Sequence, residues 1–115
     1  MTFKQDHDFQ KRKLIAESIR KRYPQRVPII CEPATDKLKI EKIKFLAPEN
    51  FKMGHFIFTI KKRIKNLNSA EAIYVFIGEK IAPTSLTLHE IYEQYRDDDG
   101  LLYLTFDKEN TFGAK

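Results

Sequence analysis

The sequence predicts a single α+β domain, in which two strands and a long helix are followed by a last strand that returns beside the first. Three observations lead to this prediction. Apolar residues recur at helical spacing in two segments, short apolar runs are bounded by proline, aspartate or glycine, and no linker or repeat divides the 115 residues. A chain of this length has room for one domain with a modest core.

The first predicted element is a helix over residues 9–23. Its apolar residues recur at helix-like intervals, with basic residues between them. Asp8 suits the N-cap position, because its side chain can accept a hydrogen bond from a free N–H group of the first turn. Pro24 ends the helix, since the residue before a proline is disfavoured in helical conformation.

Two strands follow this helix. Residues 27–32 form the first, and Pro28 indicates either an edge strand or a position near the strand's start, because proline has no N–H for the ladder. Residues 33–36 make a turn or loop. Residues 43–47 form the second strand, which Pro48 stops.

An amphipathic helix is predicted over residues 51–67, where apolar residues lie three or four apart. Basic residues gather toward its C-terminal end, as the helix dipole favours. Residues 72–77 are almost wholly apolar and indicate a buried central strand. A turn at residues 78–79 and a short extended piece near Ile81 come next.

The last elements are a short helix and a strand. Thr87 and Glu90 have the spacing of a capping box, which opens the helix. Residues 97–100 make a turn, and residues 101–106 form the strand. The aspartates at 97–99 resemble a metal cluster only superficially, and an exposed turn explains them. The order of helix, ββαβ, short helix and β describes a ubiquitin-like β-grasp fold with an added N-terminal helical segment.

We expect one domain over residues 1–115, made of an N-terminal helical extension (1–25), a β-grasp core (26–107) and a flexible C-terminal tail (108–115). An apolar share of 42% and nine phenylalanines favour a packed core. No secretory signal is evident, and no apolar run approaches the roughly 18 residues that a membrane span needs. These features predict a cytoplasmic protein.

The net charge of +5 is concentrated in residues 1–26, which carry eight lysines and arginines against three acidic residues. Such a segment could meet nucleic acid, an anionic membrane or an acidic protein, or could form a solvated helix face. Nucleic-acid binding is not expected, because the charge is confined to this segment and no platform of exposed aromatic residues for base stacking is evident.

No group of residues indicates a catalytic or metal site. His7, His55 and His89 fall in three separate elements, and Cys31 is the only cysteine. Cys31 lies among apolar residues and is interpreted as part of the core. The four glycines are scattered and form no phosphate-binding loop. We therefore expect no enzyme, no metal and no cofactor.

The C-terminal residues Phe112-Gly113-Ala114-Lys115 suit a tail that is cut. A glycine has no Cβ and can pass through a narrow protease or ligase cleft, and its exposed carboxylate could be passed to an amine with little hindrance. An ordinary mobile C-terminus explains the same residues, so both interpretations stay open on this pattern alone.

Ordered matches over nearly the whole chain from His7 resemble the autophagy ubiquitin-like modifiers of the GABARAP type. The matching segments are residues 19–32 (IRKRYPQRVPIICE), 44–48 (KFLAP), 54–58 (GHFIF), 60–64 (IKKRI), 83–85 (PTS), 98–103 (DDGLLY) and 111–113 (TFG). The resemblance implies that a dedicated cysteine protease cleaves between Gly113 and Ala114. Activating and conjugating enzymes would then transfer Gly113 to phosphatidylethanolamine, and the lipidated protein would reside on autophagosomal and other vesicle membranes.

The resemblance also implies that short aromatic-x-x-aliphatic peptides of cargo receptors and adaptors extend the sheet along residues 43–47, with alternate side chains in two pockets. The aromatic pocket would be lined by Ile19, Pro28, Ile30, Lys44, Leu46 and Leu101. The aliphatic pocket would be lined by Phe45, Ala47, Pro48, Phe51, Phe56 and Ile60. A basic rim facing acidic residues of the peptide would comprise Arg26, Lys42, Lys44 and Arg63. The protein is expected to be a monomer.

The chain departs from the family pattern at several pocket positions. Leu101 stands where phenylalanine is common, Ala47 and Thr59 stand where larger aliphatic residues are common, and Phe51 replaces a usual leucine. Ile15 takes a position that is often charged. We expect these departures to change peptide preference but not the binding mode. A ubiquitin-like protein that binds partners without being conjugated is the alternative within this fold.

Overall fold

A computed structural model of the chain describes residues 2–109. Its elements are α1 (Phe3–Asp6), α2 (Phe9–Arg22), β1 (Arg26–Pro33), β2 (Lys44–Pro48), α3 (Met53–Lys61), β3 (Ile73–Ile77), β4 (Lys80–Ile81), α4 (Leu88–Tyr95) and β5 (Leu102–Lys108). Their order is the predicted one, with α1 added. The predicted caps are confirmed at α2, where the Asp8 side chain accepts from Lys11 N–H, and at α4, where Thr87 and Glu90 form the capping box.

The five strands form one mixed sheet in the order β2-β1-β5-β3-β4. β5 lies beside β1, as predicted for the last strand, and runs parallel to it, whereas the other neighbouring pairs are antiparallel. The strand predicted over residues 72–77 as buried and central is β3, an inner strand between β5 and β4 that is only partly buried. β3 is apolar on both faces, yet Tyr74 on one of them is exposed.

Pro28 is the third residue of β1, which is an inner strand, so its position near the strand's start accounts for it and the edge-strand alternative is wrong. Pro28 lies opposite Leu46 of β2. The neighbouring Cys31 N–H donates to the Ile43 carbonyl at 2.8 Å, which places the β1–β2 hydrogen bonds on the odd-numbered residues of β1. Pro28 therefore belongs to a non-hydrogen-bonded pair, so its missing N–H removes no hydrogen bond between β1 and β2.

Two hydrophobic clusters lie on opposite faces of the sheet. The larger cluster packs α3 and α4 against one face and includes Phe56, Ile60 and Phe106. The smaller cluster contains Phe3 of α1 and Ala16 of α2, with sheet residues from the opposite face. Cys31 belongs to the larger cluster, and burial raises the pKa of its thiol to about 12, so its predicted role as a core residue is confirmed.

The third helix is shorter than predicted, because α3 ends at Lys61 instead of continuing to residue 67. Ile64 forms an isolated bridge with Ile40, and the Lys65 N–H donates to the Lys39 carbonyl at 2.8 Å. Ile64 is nevertheless buried in the larger cluster. The helical spacing of apolar residues therefore continues past Lys61. The backbone does not stay helical there, because Ile64 pairs with Ile40 of a distant loop.

The turn at residues 97–100 holds a buried carboxylate, so the interpretation of all three aspartates as an exposed turn is wrong for Asp99. Asp99 accepts hydrogen bonds from the Tyr103 hydroxyl at 2.6 Å and from the Leu101 N–H at 2.8 Å. The Arg12 guanidinium of α2 lies 3.4 Å from the same carboxylate. Gly100 has a φ of 91°, and a Cβ there would lie 2.9 Å from the Ala16 Cβ, so this turn packs closely beneath α2.

Candidate functional site

The outer side of β2 is an open sheet edge. Within residues 2–109, β2 pairs with β1 alone. Because Pro28 and Ile30 of β1 sit opposite Leu46 and Lys44 in non-hydrogen-bonded pairs, the N–H and C=O groups of Leu46 and Lys44 point away from β1. The Arg26 guanidinium donates to the Leu46 carbonyl at 3.2 Å, which covers part of this edge. The remaining groups can receive an added strand.

Alternate residues of β2 lie on opposite faces of the sheet. Lys44 and Leu46 face the same side as their cross-strand partners Ile30 and Pro28. Phe45 and Ala47 face the larger cluster on the other side. The two predicted pockets are therefore separated by the sheet, and β2 contributes to both.

The predicted aromatic pocket lies on the α2 side and is well buried. Ile30 and Leu101 are 3% and 1% exposed, in the smaller cluster, and Ile15 of α2 packs against them. Pro28 is buried as well. The more accessible members are Ile19, Leu46 and Lys44.

The predicted aliphatic pocket has a buried floor and half-buried walls. Its floor is the buried set Ala47, Phe56 and Ile60, and its walls are the half-buried set Phe45, Pro48 and Phe51. The Phe45 ring meets Phe56 edge-on, with the centroids 5.6 Å apart. The Phe51 ring stacks on His55 at 4.1 Å, so His55 extends this wall. Sequence reasoning missed His55, although its spacing of four residues from Phe51 was the available signal.

The predicted basic rim is spread around the edge of β2. The side chain of Arg26 reaches the edge from β1, and the Arg26 carbonyl accepts from the Arg20 guanidinium at 2.8 Å. Arg63 follows α3 and lies 6.0 Å from the centre of the Phe45 ring. Lys42 is exposed in the loop before β2.

Sequence reasoning also missed α1, whose Phe3 is 3% exposed and belongs to the same cluster as Ile30 and Leu101. The Phe3 N–H donates to the Glu32 carboxylate at 2.8 Å. The Lys44 ammonium lies 5.8 Å from the centre of the Phe3 ring. The signal in the sequence was the capping box of Thr2 with Gln5.

Clefts lie both beside the predicted site and away from it. One of about 390 Å³ adjoins β2, where it is lined by Arg26 and Pro48. Another of about 670 Å³ lies at the end of β5, beside the Lys108–Glu71 ion pair of 2.6 Å. The predicted processing residues Phe112, Gly113 and Ala114 lie outside residues 2–109.

The histidines and carboxylates of residues 2–109 nowhere gather in a group of three that could hold a metal ion. In the same part of the chain, no helix is long and apolar enough to cross a membrane.

Comparison with known proteins identifies the family. The family model "Autophagy protein Atg8 ubiquitin like" matches residues 11–113. Autophagy-related protein 8 of Coccidioides immitis (strain RS) is 46% identical over 113 residues, which cover 96% of each chain. That of Colletotrichum lindemuthianum is 45% identical over 114 residues, covering 97% of this chain and 93% of the relative.

Two solved structures share the fold. Trypanosoma brucei ATG8 superposes with a TM-score of 0.87 at 32% identity, with 95% of each chain covered. Plasmodium falciparum Atg8, in complex with a Plasmodium falciparum Atg3 peptide, has a TM-score of 0.83 at 31% identity, with 95% of this chain and 99% of that chain covered. The ubiquitin-like fold and the predicted resemblance are confirmed, and the chain belongs to the Atg8 family of ubiquitin-like autophagy proteins.

Proposed function

We propose that this chain recruits partners by binding aromatic-x-x-aliphatic peptides along β2, and that it is anchored to membranes through Gly113. One observation carries the peptide proposal: the two pockets lie on opposite faces of the sheet and share one edge strand. In an extended peptide, residues three apart point to opposite faces, because the side-chain period is two. An added strand would therefore deliver its aromatic side chain to one pocket and its aliphatic side chain to the other.

The backbone of such a peptide would pair with the outward N–H and C=O groups of Lys44 and Leu46. It must take the Leu46 carbonyl from Arg26, which now donates to it. The released guanidinium is then free to meet an acidic residue of the peptide. Lys42 and Arg63 stand at other points of the rim, so peptides with acidic flanks are favoured.

The membrane part of the proposal concerns residues beyond β5. Lys108 ends β5 five residues before Gly113, and five residues span at most about 18 Å. Gly113 would enter the clefts of a processing protease and of activating and conjugating enzymes, for which the chain is the substrate and not the catalyst. The complex of Plasmodium falciparum Atg8 with an Atg3 peptide supports the interaction with the conjugating enzyme.

Conjugation to phosphatidylethanolamine supplies the apolar surface that the described part of the chain does not offer as a membrane span. Each buried CH₂ contributes about 0.8 kcal/mol, so two acyl chains hold a protein stably on a bilayer. We propose a cytoplasmic monomer that moves to autophagosomal and vesicle membranes when it is lipidated. The covalent lipid is its only expected attached group, and cargo receptors and adaptors are its expected partners.

Peptide binding is tested by calorimetric titration of an acidic-flanked aromatic-x-x-aliphatic peptide into the full chain. Leu46→Asp places a charge beside the aromatic pocket and is expected to weaken binding at least about tenfold, equivalent to about 1.4 kcal/mol. Ile81→Asp is the matched control, because Ile81 is exposed on β4 at the opposite edge of the sheet. Equal affinities of the two variants would contradict binding at β2.

Conjugation is tested by mass spectrometry of the protein from its own cells and by membrane fractionation. We expect the lipid on Gly113 and no membrane-bound Gly113→Ala variant. Lys115→Ala is the control, since that residue would be removed during processing. Persistence of residues 114–115 on every molecule, or unchanged membrane association of Gly113→Ala, would favour the alternative of a binding protein that is not conjugated.

A further inference from the structure

We propose that Phe3 occupies the aromatic pocket as a ligand carried by the chain itself, and that Leu101 sets the size of the space it fills. A peptide must then displace Phe3 before its own aromatic side chain can enter. This inference rests on the proposed peptide-binding function and adds to it a residue that controls affinity.

The burial of Phe3 is the first observation. Phe3 opens a helix of only four residues, yet it is 3% exposed. It shares a buried cluster with Ile30 and Leu101, two of the residues predicted to receive the aromatic group of a peptide. The Phe3 ring and a peptide aromatic group therefore compete for the same apolar surroundings.

The weakness of the attachment is the second observation. α1 has four residues, which is too short for a helix that is stable by itself. Its polar contacts with other elements are the hydrogen bond from the Phe3 N–H to the Glu32 carboxylate at 2.8 Å and those of Lys4, which pairs with Asp97 at 2.7 Å and lies 4.5 Å from the centre of the Tyr103 ring. The Lys4–Asp97 pair is partly exposed, and such pairs contribute little. α1 can therefore detach while the sheet and α2 stay folded.

The size of residue 101 is the third observation. Leu101 is 1% exposed and lies in the same buried cluster as Phe3, so a phenylalanine in its place would need more space there. In a close-packed cluster, a larger side chain must displace a neighbour. Of the residues that share this cluster with Leu101, Phe3 lies in the shortest helix, which has the fewest contacts to hold it. A phenylalanine at 101 is therefore expected to expel Phe3.

The fraction of molecules in which Phe3 fills the aromatic pocket determines how much the apparent affinity of a peptide falls. If Phe3 fills the pocket in nine of ten molecules, the apparent affinity of a competing peptide falls about tenfold. Phe3→Ala is thus expected to bind the acidic-flanked aromatic-x-x-aliphatic peptide about tenfold more tightly than the unaltered chain. Phe58→Ala, the control, removes an aromatic ring that is 58% exposed on α3 and stacks with Lys62, and it should leave affinity unchanged.

The experiment is a calorimetric titration of the full chain and both variants, with a second measurement on the unaltered protein. Amide hydrogen exchange, followed by NMR, should show the protected Phe3 N–H becoming exposed when peptide saturates the site. Affinity of Phe3→Ala that is unchanged or weaker, or protection of the Phe3 amide that persists at saturation, would overturn the inference and make Phe3 a wall of the pocket. Peptide that binds none of the proteins would instead remove the proposed function, and the inference with it.

Discussion

The two pockets predicted at β2 lie on opposite faces of the sheet and differ in the residues around them. On the α3 face, the floor of the pocket is part of the main core, since Phe56 and Ile60 pack with residues of β1, β5 and α4. On the α2 face, the pocket belongs to a small cluster that is closed by the short α1. We propose that the fold fixes the first pocket, whereas the second opens when the four-residue α1 detaches. On this proposal, one edge strand joins a rigid pocket to an adjustable one.

The strongest test of this comparison is to remove part of the floor of the predicted aliphatic pocket. Phe56→Ala leaves a cavity in the main core and is expected to lower the free energy of unfolding by about 3–5 kcal/mol. Urea denaturation measures this change. Phe58→Ala on the same helix is the control and should stay within about 0.5 kcal/mol, because Phe58 is exposed. A similar effect of the two substitutions would show that the aliphatic pocket does not share the core.

The corresponding substitution on the α2 face should lower the free energy of unfolding by a smaller amount. Phe3→Ala is expected to lower the free energy of unfolding by at most about 2 kcal/mol, since the buried ring is lost but the detached α1 regains chain entropy instead of enclosing a cavity. The same urea experiment measures it. A loss as large as that of Phe56→Ala would mean that α1 is a full part of the core, and the two faces would not differ in rigidity.

The elements that depend on nearby residues were predicted from the sequence, and those that depend on distant ones were not. The Thr87–Glu90 capping box and the alternation along β2 are local patterns, and both are present in the structure. The end of α3 was missed because the Ile64–Ile40 bridge, not the local spacing, determines it.

The same distinction explains what was missed at the candidate site. The sequence around Asp99 is typical of a surface turn. Its burial depends on Arg12 of α2, which lies 87 positions earlier in the chain. α1 has too few apolar residues to show a period, so its capping box alone marked it in the sequence and nothing placed Phe3 beside Ile30 and Leu101. The family resemblance supplied the two sets of pocket residues, while composition and spacing alone did not separate them from ordinary core.

Alkaline pH offers a third test, of intermediate size, on the α2 face. Burial and the hydrogen bond to Asp99 raise the pKa of the Tyr103 hydroxyl, so the folded protein holds this proton more tightly than the unfolded chain does. The resulting stability is complete below about pH 10, the pKa of an unfolded tyrosine, and is lost as the pH rises toward the folded value. Thermal unfolding midpoints should therefore fall more steeply above about pH 10 in the unaltered protein than in Tyr103→Phe.

Tyr74→Phe is the matched control for this pH dependence, because Tyr74 is exposed on β3. Its midpoints should follow those of the unaltered protein across the same range, with the alkaline deprotonation of lysines common to all three proteins. If Tyr103→Phe retained the full alkaline slope, the hydrogen bond to Asp99 would not contribute to the stability of this face.

The smallest expected effect concerns the predicted basic rim, whose residues lie around the edge of β2. Arg63→Gln removes a charge that lies 6.0 Å from the Phe45 ring and is expected to weaken binding of the acidic-flanked peptide about two- to threefold, the range of exposed ion pairs. Lys80→Gln at the opposite edge of the sheet is the control. Screening lengths fall from about 30 Å at 0.01 M salt to about 3 Å at 1 M, so a purely electrostatic difference should shrink over this range. If the loss of peptide affinity in Arg63→Gln were the same at both salt concentrations, Arg63 would act by packing against Phe45 and not by its charge. The rigid wall of the predicted aliphatic pocket would then include Arg63.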